Sequence, residues 1–274
     1  MMQASREPRT IPFAVLAQRM LGMTRVGWIR LLVIVLAVGA LELACRLGMV
    51  DHRVLIAPSE MAVALTRLFA SGEFGEPMAR TFGIIVLAVL ISVILGFAIG
   101  LAVHALPRVR QALDPFFATY YAVPIFIFYP AMVAIFGLSA IPILLMGVAT
   151  AIVAMIIATL NGLDRVPRVL TKVGLVHHMG PVETALKLKL PAAAPYLFTG
   201  VKLATSYGFI GVIASEFILS PAGLGRVISD AYTDFNNPRM YALILLLLIV
   251  AIGVNTALHA WDQRWAERRG IRKS

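Results

Sequence analysis

Charge and thiols are scarce in this chain. Only 14% of its 274 residues are Asp, Glu, Lys or Arg, against about 25% in an average soluble protein. The single cysteine, Cys45, lies in an apolar run, which excludes an intramolecular disulfide and a Cys-based zinc site. A Gly-x4-Gly-Lys-Ser/Thr phosphate loop is also missing, since the one lysine followed by Ser or Thr is Lys273 before Ser274; the chain does not bind ATP by that route. Neither a Gly-x-Ser-x-Gly elbow nor His-Glu-x-x-His occurs, so the usual marks of serine hydrolysis and zinc proteolysis are lacking. The one histidine pair, His177-His178, would point its rings about 100° apart on a helix. No carboxylate stands at ligand spacing beside it, and it reads as a solvated loop, not a metal site.

What is abundant is apolar sequence, at 60% of all residues. Six runs reach the length of about 20 residues that crosses roughly 30 Å of hydrocarbon as a helix: 31–49, 81–105, 116–136, 141–160, 195–219 and 241–261. The fold class expected is therefore all-α, an integral membrane protein with six transmembrane helices. The net charge of +10 falls between these runs and follows the positive-inside rule, so membrane topology explains it better than nucleic-acid binding does. The segment through Arg30 carries +4, residues 50–80 carry −1, and the short turn with Arg108, Arg110 and Asp114 carries +1. Gly137 to Ala140 is uncharged, residues 161–194 carry +3, 216–239 carry −1, and the tail after Trp261 carries +3. This alternation places both termini and the 161–194 segment in the cytoplasm. The basic N-terminal stretch is not followed by a small-residue cleavage site and a polar sequence, so the first run reads as an uncleaved span.

Smaller features carry expectations of their own. Residues 11–21, with Phe13, Leu16, Met20 and Leu21 opposed to Arg19, suit an interfacial helix. Residues 59–69, opened by Pro58-Ser59 as a helix cap, put Met61, Leu65, Leu68 and Phe69 near one face. Glu42 and Arg46, four apart in the first run, form a self-neutralising pair that lets the helix insert. Pro124 and Pro130 fall within one run, "YYAVPIFIFYPAMVAIFG". Two readings stand for them: a broken helix lining a pathway, with Tyr121, Pro124 and Pro130 as candidates, or a packing kink. Glu216 lies near the outer end of its run, where it is either part of a gate or a solvated interfacial carboxylate.

The polar segment holds "GPVETALKLKLPAAAP", residues 180–195. Gly180-Pro181 can start a helix, and Glu183 suits its first turn. Val182, Ala185 and Leu186, with Met179, form an apolar stripe that leaves Lys187 and Lys189 outside it. Leu190-Pro191 and Pro195 are expected to re-aim the chain into the next span. An apolar stripe facing the cytoplasm calls for a soluble partner.

The run Leu190-Pro191-Ala192-Ala193-Ala194-Pro195, then Thr199-Gly200, Glu216 and Gly223-Leu224-Gly225, resembles the permease subunits of bacterial ABC importers, more closely those of the nitrate, sulfonate and taurine type. The resemblance extends from Ile56 to Trp261 and includes Ala57-Pro58-Ser59, Val123-Pro124 through Pro130, and Phe136-Gly137. It implies a type I importer permease fold working as a homodimer in the bacterial inner membrane. Its partners would be a cytoplasmic ATPase dimer, which binds ATP and Mg, and a solute-binding protein; the permease itself would hold no cofactor or metal and catalyse no covalent chemistry. The coupling residues implied are Gly180, Pro181, Val182, Glu183, Ala185, Leu186, Leu190 and Pro191. The chain departs from the family upstream: where Glu-Ala-Ala, three residues and Gly precede the proline by thirteen positions, it has Lys172-Val173-Gly174 and His178. The loop glycine reads as displaced to Gly180.

The organisation expected is a cytoplasmic segment 1–30, a first span and outer amphipathic segment 31–80, a permease core 81–262 with the coupling loop at 161–194, and a cytoplasmic tail 263–274. The competing function is an ion-coupled secondary transporter, which needs intramembrane carboxylates or unwound carbonyls for its coupling ion. Glu42 and Glu216 are the acidic candidates near the spans. The solute expected is small: a sulfonate, nitrate, taurine or a vitamin precursor.

Overall fold

The computed structural model describes residues 25–268, so the expected interfacial helix at 11–21 and the last residues of the expected tail lie outside the described residues. The chain divides into two compact units, 1–62 and 63–274.

In the first unit, α1 (Arg25–Arg46) buries none of its apolar window. The expected ion pair forms, with Arg46 Nε 2.6 Å from Glu42 Oε1. Glu42 does more than neutralise: it accepts the Ser59 amide N–H at 3.0 Å and the Ser59 hydroxyl at 2.6 Å. Helix α2 (Pro58–Ser71) thus begins at Pro58 with a carboxylate from another helix satisfying its first free amide. The expected cap by Ser59 itself is corrected accordingly.

The second unit is built on three long helices, α3 (Gly75–Ala105), α6 (Ala140–Asp164) and α9 (Leu190–Ile218). Between α3 and α6 the chain forms α4 (Pro107–Thr119), two short 3-10 turns (Tyr120–Ala122 and Ile125–Phe128) and α5 (Tyr129–Phe136). After α6 come α7 (Arg168–Val176) and α8 (Pro181–Thr184), and α9 is followed by α10 (Leu224–Thr233) and α11 (Asn237–Arg268). Among the described residues there is no strand.

Helix α6 lies at the centre, with 67% of its apolar window buried. It is approached closely because small residues face it: a Cβ on Gly96 would stand 2.8 Å from the Met155 Cβ, and one on Gly200 would stand 2.6 Å from the Ala158 Cβ. Lipid tails provide no hydrophobic drive between helices, so such close van der Waals packing is what holds spans together. Helices α2, α10 and α11 share another core, containing Leu65, Leu68, Leu224, Ile228, Leu243 and Leu246. Of the face expected on α2, Leu65 and Leu68 are buried and Phe69 is exposed.

Five helices among the described residues are long and apolar enough to cross a membrane: Gly27–Arg46, Gly75–Ala105, Ala140–Asp164, Val182–Ile218 and Asn237–Arg264. A sixth crossing exists if Pro107–Ala122 and Ile125–Phe136, bent by 87°, form one span. The expected run at 116–136 is therefore a broken one. The final helix continues to Arg268, past the expected end of the core at 262.

Candidate functional site

The segment between α6 and α9 folds into two short helical pieces packed together. Helix α7 ends at His177-His178, where His178 adopts a left-handed backbone with φ +53° and the Met179 N–H closes on the Gly174 carbonyl at 2.9 Å. A left-handed residue after a helix is the place that normally selects glycine. His178 thus holds a backbone conformation that glycine adopts readily. Gly180 is not in that conformation. The other departure, Gly174, also has a structural counterpart: a Cβ there would stand 2.7 Å from the Thr184 Oγ1, so glycine lets α7 lie against the 181–189 stretch.

Pro181 does begin a helix, and Glu183 and Lys187 pair at 2.6 Å on its exposed side. The expected turn at Leu190-Pro191 is absent. Residues Ala185–Lys189 widen into a π-helix in which the Leu190 N–H reaches the Ala185 carbonyl, and the helix continues through Pro191 and Pro195 into the span. The wider turn accommodates prolines that lack the amide a regular helix would use. Val182 and Leu186 of the expected stripe are 69% and 59% exposed, while Ala185 is half-buried. Helix α7, which the sequence reading did not single out, adds Val169, Leu175 and Val176, each at least 64% exposed. Its apolar positions were legible as 3.6-residue spacing, but nothing in the sequence tied them to 182–186.

The broken span forms the second feature. Pro124 stands between the two 3-10 turns, whereas Pro130 lies in the first turn of α5, where its missing N–H costs nothing. The break therefore belongs to Pro124. A cavity of about 250 Å³ opens at the break, lined by Tyr120, Tyr121, Pro124, Phe126, Thr150 and Tyr207 among others. Tyr121 stacks on Tyr207 with centroids 4.8 Å apart and planes at 22°. The Tyr120 hydroxyl donates to the Ala149 carbonyl at 2.7 Å, and Thr150 Oγ1 donates to the Tyr207 carbonyl at 3.0 Å. Of the expected pathway residues, Tyr121 and Pro124 meet here and Pro130 and Glu216 do not. Thr150 and Tyr207 come from two other helices, with no sequence signal to mark them.

Glu216 is fully buried, at 0% exposure, which corrects the reading as a solvated interfacial carboxylate. Its oxygens accept the Thr81 hydroxyl at 2.9 and 2.8 Å and the Gly225 N–H at 3.0 Å. Thr81 Oγ1 in turn accepts the Leu224 N–H at 2.8 Å. The pair thus satisfies the first amides of α10, which would otherwise be orphaned in an apolar setting. Gly223, at φ +115°, lies where any Cβ would run into the Glu216 carboxyl. Beside it, the buried Tyr129 donates its hydroxyl to the Leu219 carbonyl at 2.5 Å.

Two ion pairs tie the other ends of the helices. Arg110 forks onto both oxygens of Asp164, with His104 3.4 Å away. Lys202 Nζ lies 2.8 Å from Asp262 Oδ2, and Asp262 is 3% exposed. Among the described residues no group of three or more His, Cys, Asp or Glu is arranged to hold a metal.

The family model described as "Binding-protein-dependent transport system inner membrane component" matches residues 88–269. The nitrate import permease protein NrtB of Leptolyngbya laminosa is 31% identical over 166 residues, 61% of this chain and 60% of that protein. The bicarbonate transport system permease protein CmpB of Synechococcus elongatus is 28% identical over 183 residues, 65% of this chain and 64% of that one. The chain thus spans 60% and 64% of the lengths of these relatives. A chain of the MetNI methionine ABC transporter, solved in inward facing conformations, superposes with a TM-score of 0.54 at 19% identity, covering 72% of this chain and 96% of that one. At that identity the likeness is one of fold.

Proposed function

Because the chain belongs to the family of binding-protein-dependent transport system inner membrane components, we propose that it is the membrane-spanning permease subunit of an ATP-driven importer of a small solute. The fold is the all-helical one of type I importer permeases. Family membership over residues 88–269 is the observation that carries the reading.

In this reading two copies enclose one solute path, an ATPase dimer binds ATP and Mg from the cytoplasm, and a solute-binding protein delivers solute from outside. The charge alternation supports placing both termini and the 161–194 segment in the cytoplasm. The ATPase seats on the apolar patch formed by α7 and the adjoining residues 180–191. Gly180 and Pro181 start the second piece, and Val182 and Leu186 present its exposed apolar side chains. Ala185 completes the stripe, Glu183 is held by Lys187, and Leu190 and Pro191 continue it into α9 without a joint. That continuity supports a direct mechanical route: movement of the ATPase tilts the 181–189 stretch, and the same helix carries the tilt across the membrane as alternating access. Tyr121 and Pro124 line the solute path at the broken span, and Glu216 positions the outer helix α10.

The rival, an ion-coupled carrier, needs intramembrane carboxylates or unwound carbonyls for its coupling ion. Glu216 is engaged by Thr81 and Gly225, which favours the importer. Affinity purification of the tagged chain from its own host's membranes tests the reading. An ATPase bearing a phosphate-binding loop is expected to co-elute; elution of the chain alone would favour the carrier.

A further inference from the structure

The cavity at the broken span is rich in rings and poor in charge. Tyr120, Tyr121, Phe126 and Tyr207 contribute four aromatic rings, and no Lys, Arg, His, Asp or Glu lines it. Tyr120 and Tyr121 meet edge to face at 5.3 Å and 88°, and Tyr121 stacks on Tyr207, so the three tyrosine rings form one continuous wall. Hydrogen-bonding groups in the lining are mostly spent: the Tyr120 hydroxyl is held by Ala149, and Thr150 donates to Tyr207. The Tyr207 hydroxyl makes no hydrogen bond within the described residues and remains available to a ligand.

These features select by chemistry. The face of an aromatic ring is negative, which repels anions and attracts cations and the positive edges of other rings. A small oxyanion entering such a lining gives up its water for a single hydroxyl donor, a poor exchange in a low-dielectric setting. Size agrees, since an apolar cavity of about 150 Å³ already holds benzene and this one, at about 250 Å³, leaves room for a ring with a substituent. We propose that this cavity binds a planar aromatic or heteroaromatic ring, neutral or positively charged, in preference to a small oxyanion, with Tyr121 and Tyr207 as the specificity-determining residues. Naming that ring as the transported solute rests on the importer reading; the preference of the cavity does not.

The test uses the full chain in lipid nanodiscs without the ATPase. Saturation-transfer NMR is recorded over empty nanodiscs with nicotinamide as the neutral ring, benzamidinium as the cationic ring, and methanesulfonate and formate as small oxyanions. Both rings are expected to show saturable binding and the oxyanions none. Tyr207→Phe, which keeps the ring and its packing, should weaken nicotinamide by about threefold or more through the lost hydroxyl. Tyr121→Ala should weaken both ring probes by up to about tenfold. Ring signals that equal those of empty discs, or that are unchanged in both variants, would overturn the proposal, the second outcome meaning partition into lipid. Oxyanion binding lost in Tyr207→Phe would overturn it as well. Ring binding by a chain that never co-elutes with an ATPase would sink the importer and leave the cavity's preference standing, and the converse would do the reverse.

Discussion

His178 holds a conformation that glycine adopts without strain, at φ +53°. A left-handed backbone costs an L-residue with a Cβ about 1–2 kcal/mol, part of which glycine would return through its greater freedom when unfolded. His178→Gly is therefore expected to stabilise the protein by about 0.5–1 kcal/mol, seen as a rise in the thermal unfolding midpoint; a fall would show that the histidine side chain makes a compensating contact. Asp262 presents the opposite case. Removing one partner of a buried ion pair costs about 3–5 kcal/mol, because the other charge is left uncompensated. Because the Lys202 side chain is 24% exposed and keeps part of its hydration, Asp262→Ala should cost less than that, while Lys202→Met combined with Asp262→Leu should recover most of the loss in the same melting experiment. Glu216 was visible in the sequence as a carboxylate near a helix end, yet not as a buried one. Its partner Thr81 lies 135 positions away, a distance at which no local pattern operates. Glu216→Gln keeps the size but can turn a donor toward the Gly225 N–H, and it should impair uptake while leaving ATPase assembly intact; unimpaired uptake would remove Glu216 from the transport cycle.

At the scale of elements, the long apolar helices were legible because membrane spans need only length and hydropathy. The start at Pro181 was equally legible from Gly180-Pro181. What the sequence obscured was continuity. Two prolines within five positions read as a turn, and the π-helical Ala185–Lys189 stretch that accommodates them leaves no compositional trace. Nor did the sequence show that α7 packs on residues 181–189, because the deciding contact is an absent side chain, Gly174 against Thr184. The two pieces together present Val169, Leu175, Val176, Val182 and Leu186. Each large side chain seated in a partner's cleft contributes about 1.5–3 kcal/mol. Leu175→Asp and Leu186→Asp should each abolish ATPase co-purification, while Lys189→Ala should change it little. If Leu175→Asp alone is silent, the contact is confined to residues 181–189.

For the molecule as a whole, orientation fixes every functional role. With Cys45 replaced by serine, a cysteine at the exposed position Val182 should react with an impermeant maleimide from the cytoplasmic side only. One at Phe235, which is 88% exposed, should react from the outside only. The reverse labelling would invert the topology and move the ATPase patch to the wrong face. The central claim is that nucleotide hydrolysis by a partner drives solute through this chain. Uptake by proteoliposomes containing the chain, its co-purified ATPase and its binding protein, supplied with the solute that this binding protein retains, tests it most directly. Uptake should require enclosed Mg-ATP and persist when ionophores collapse the proton and sodium gradients; uptake that follows those gradients and ignores ATP would contradict the account.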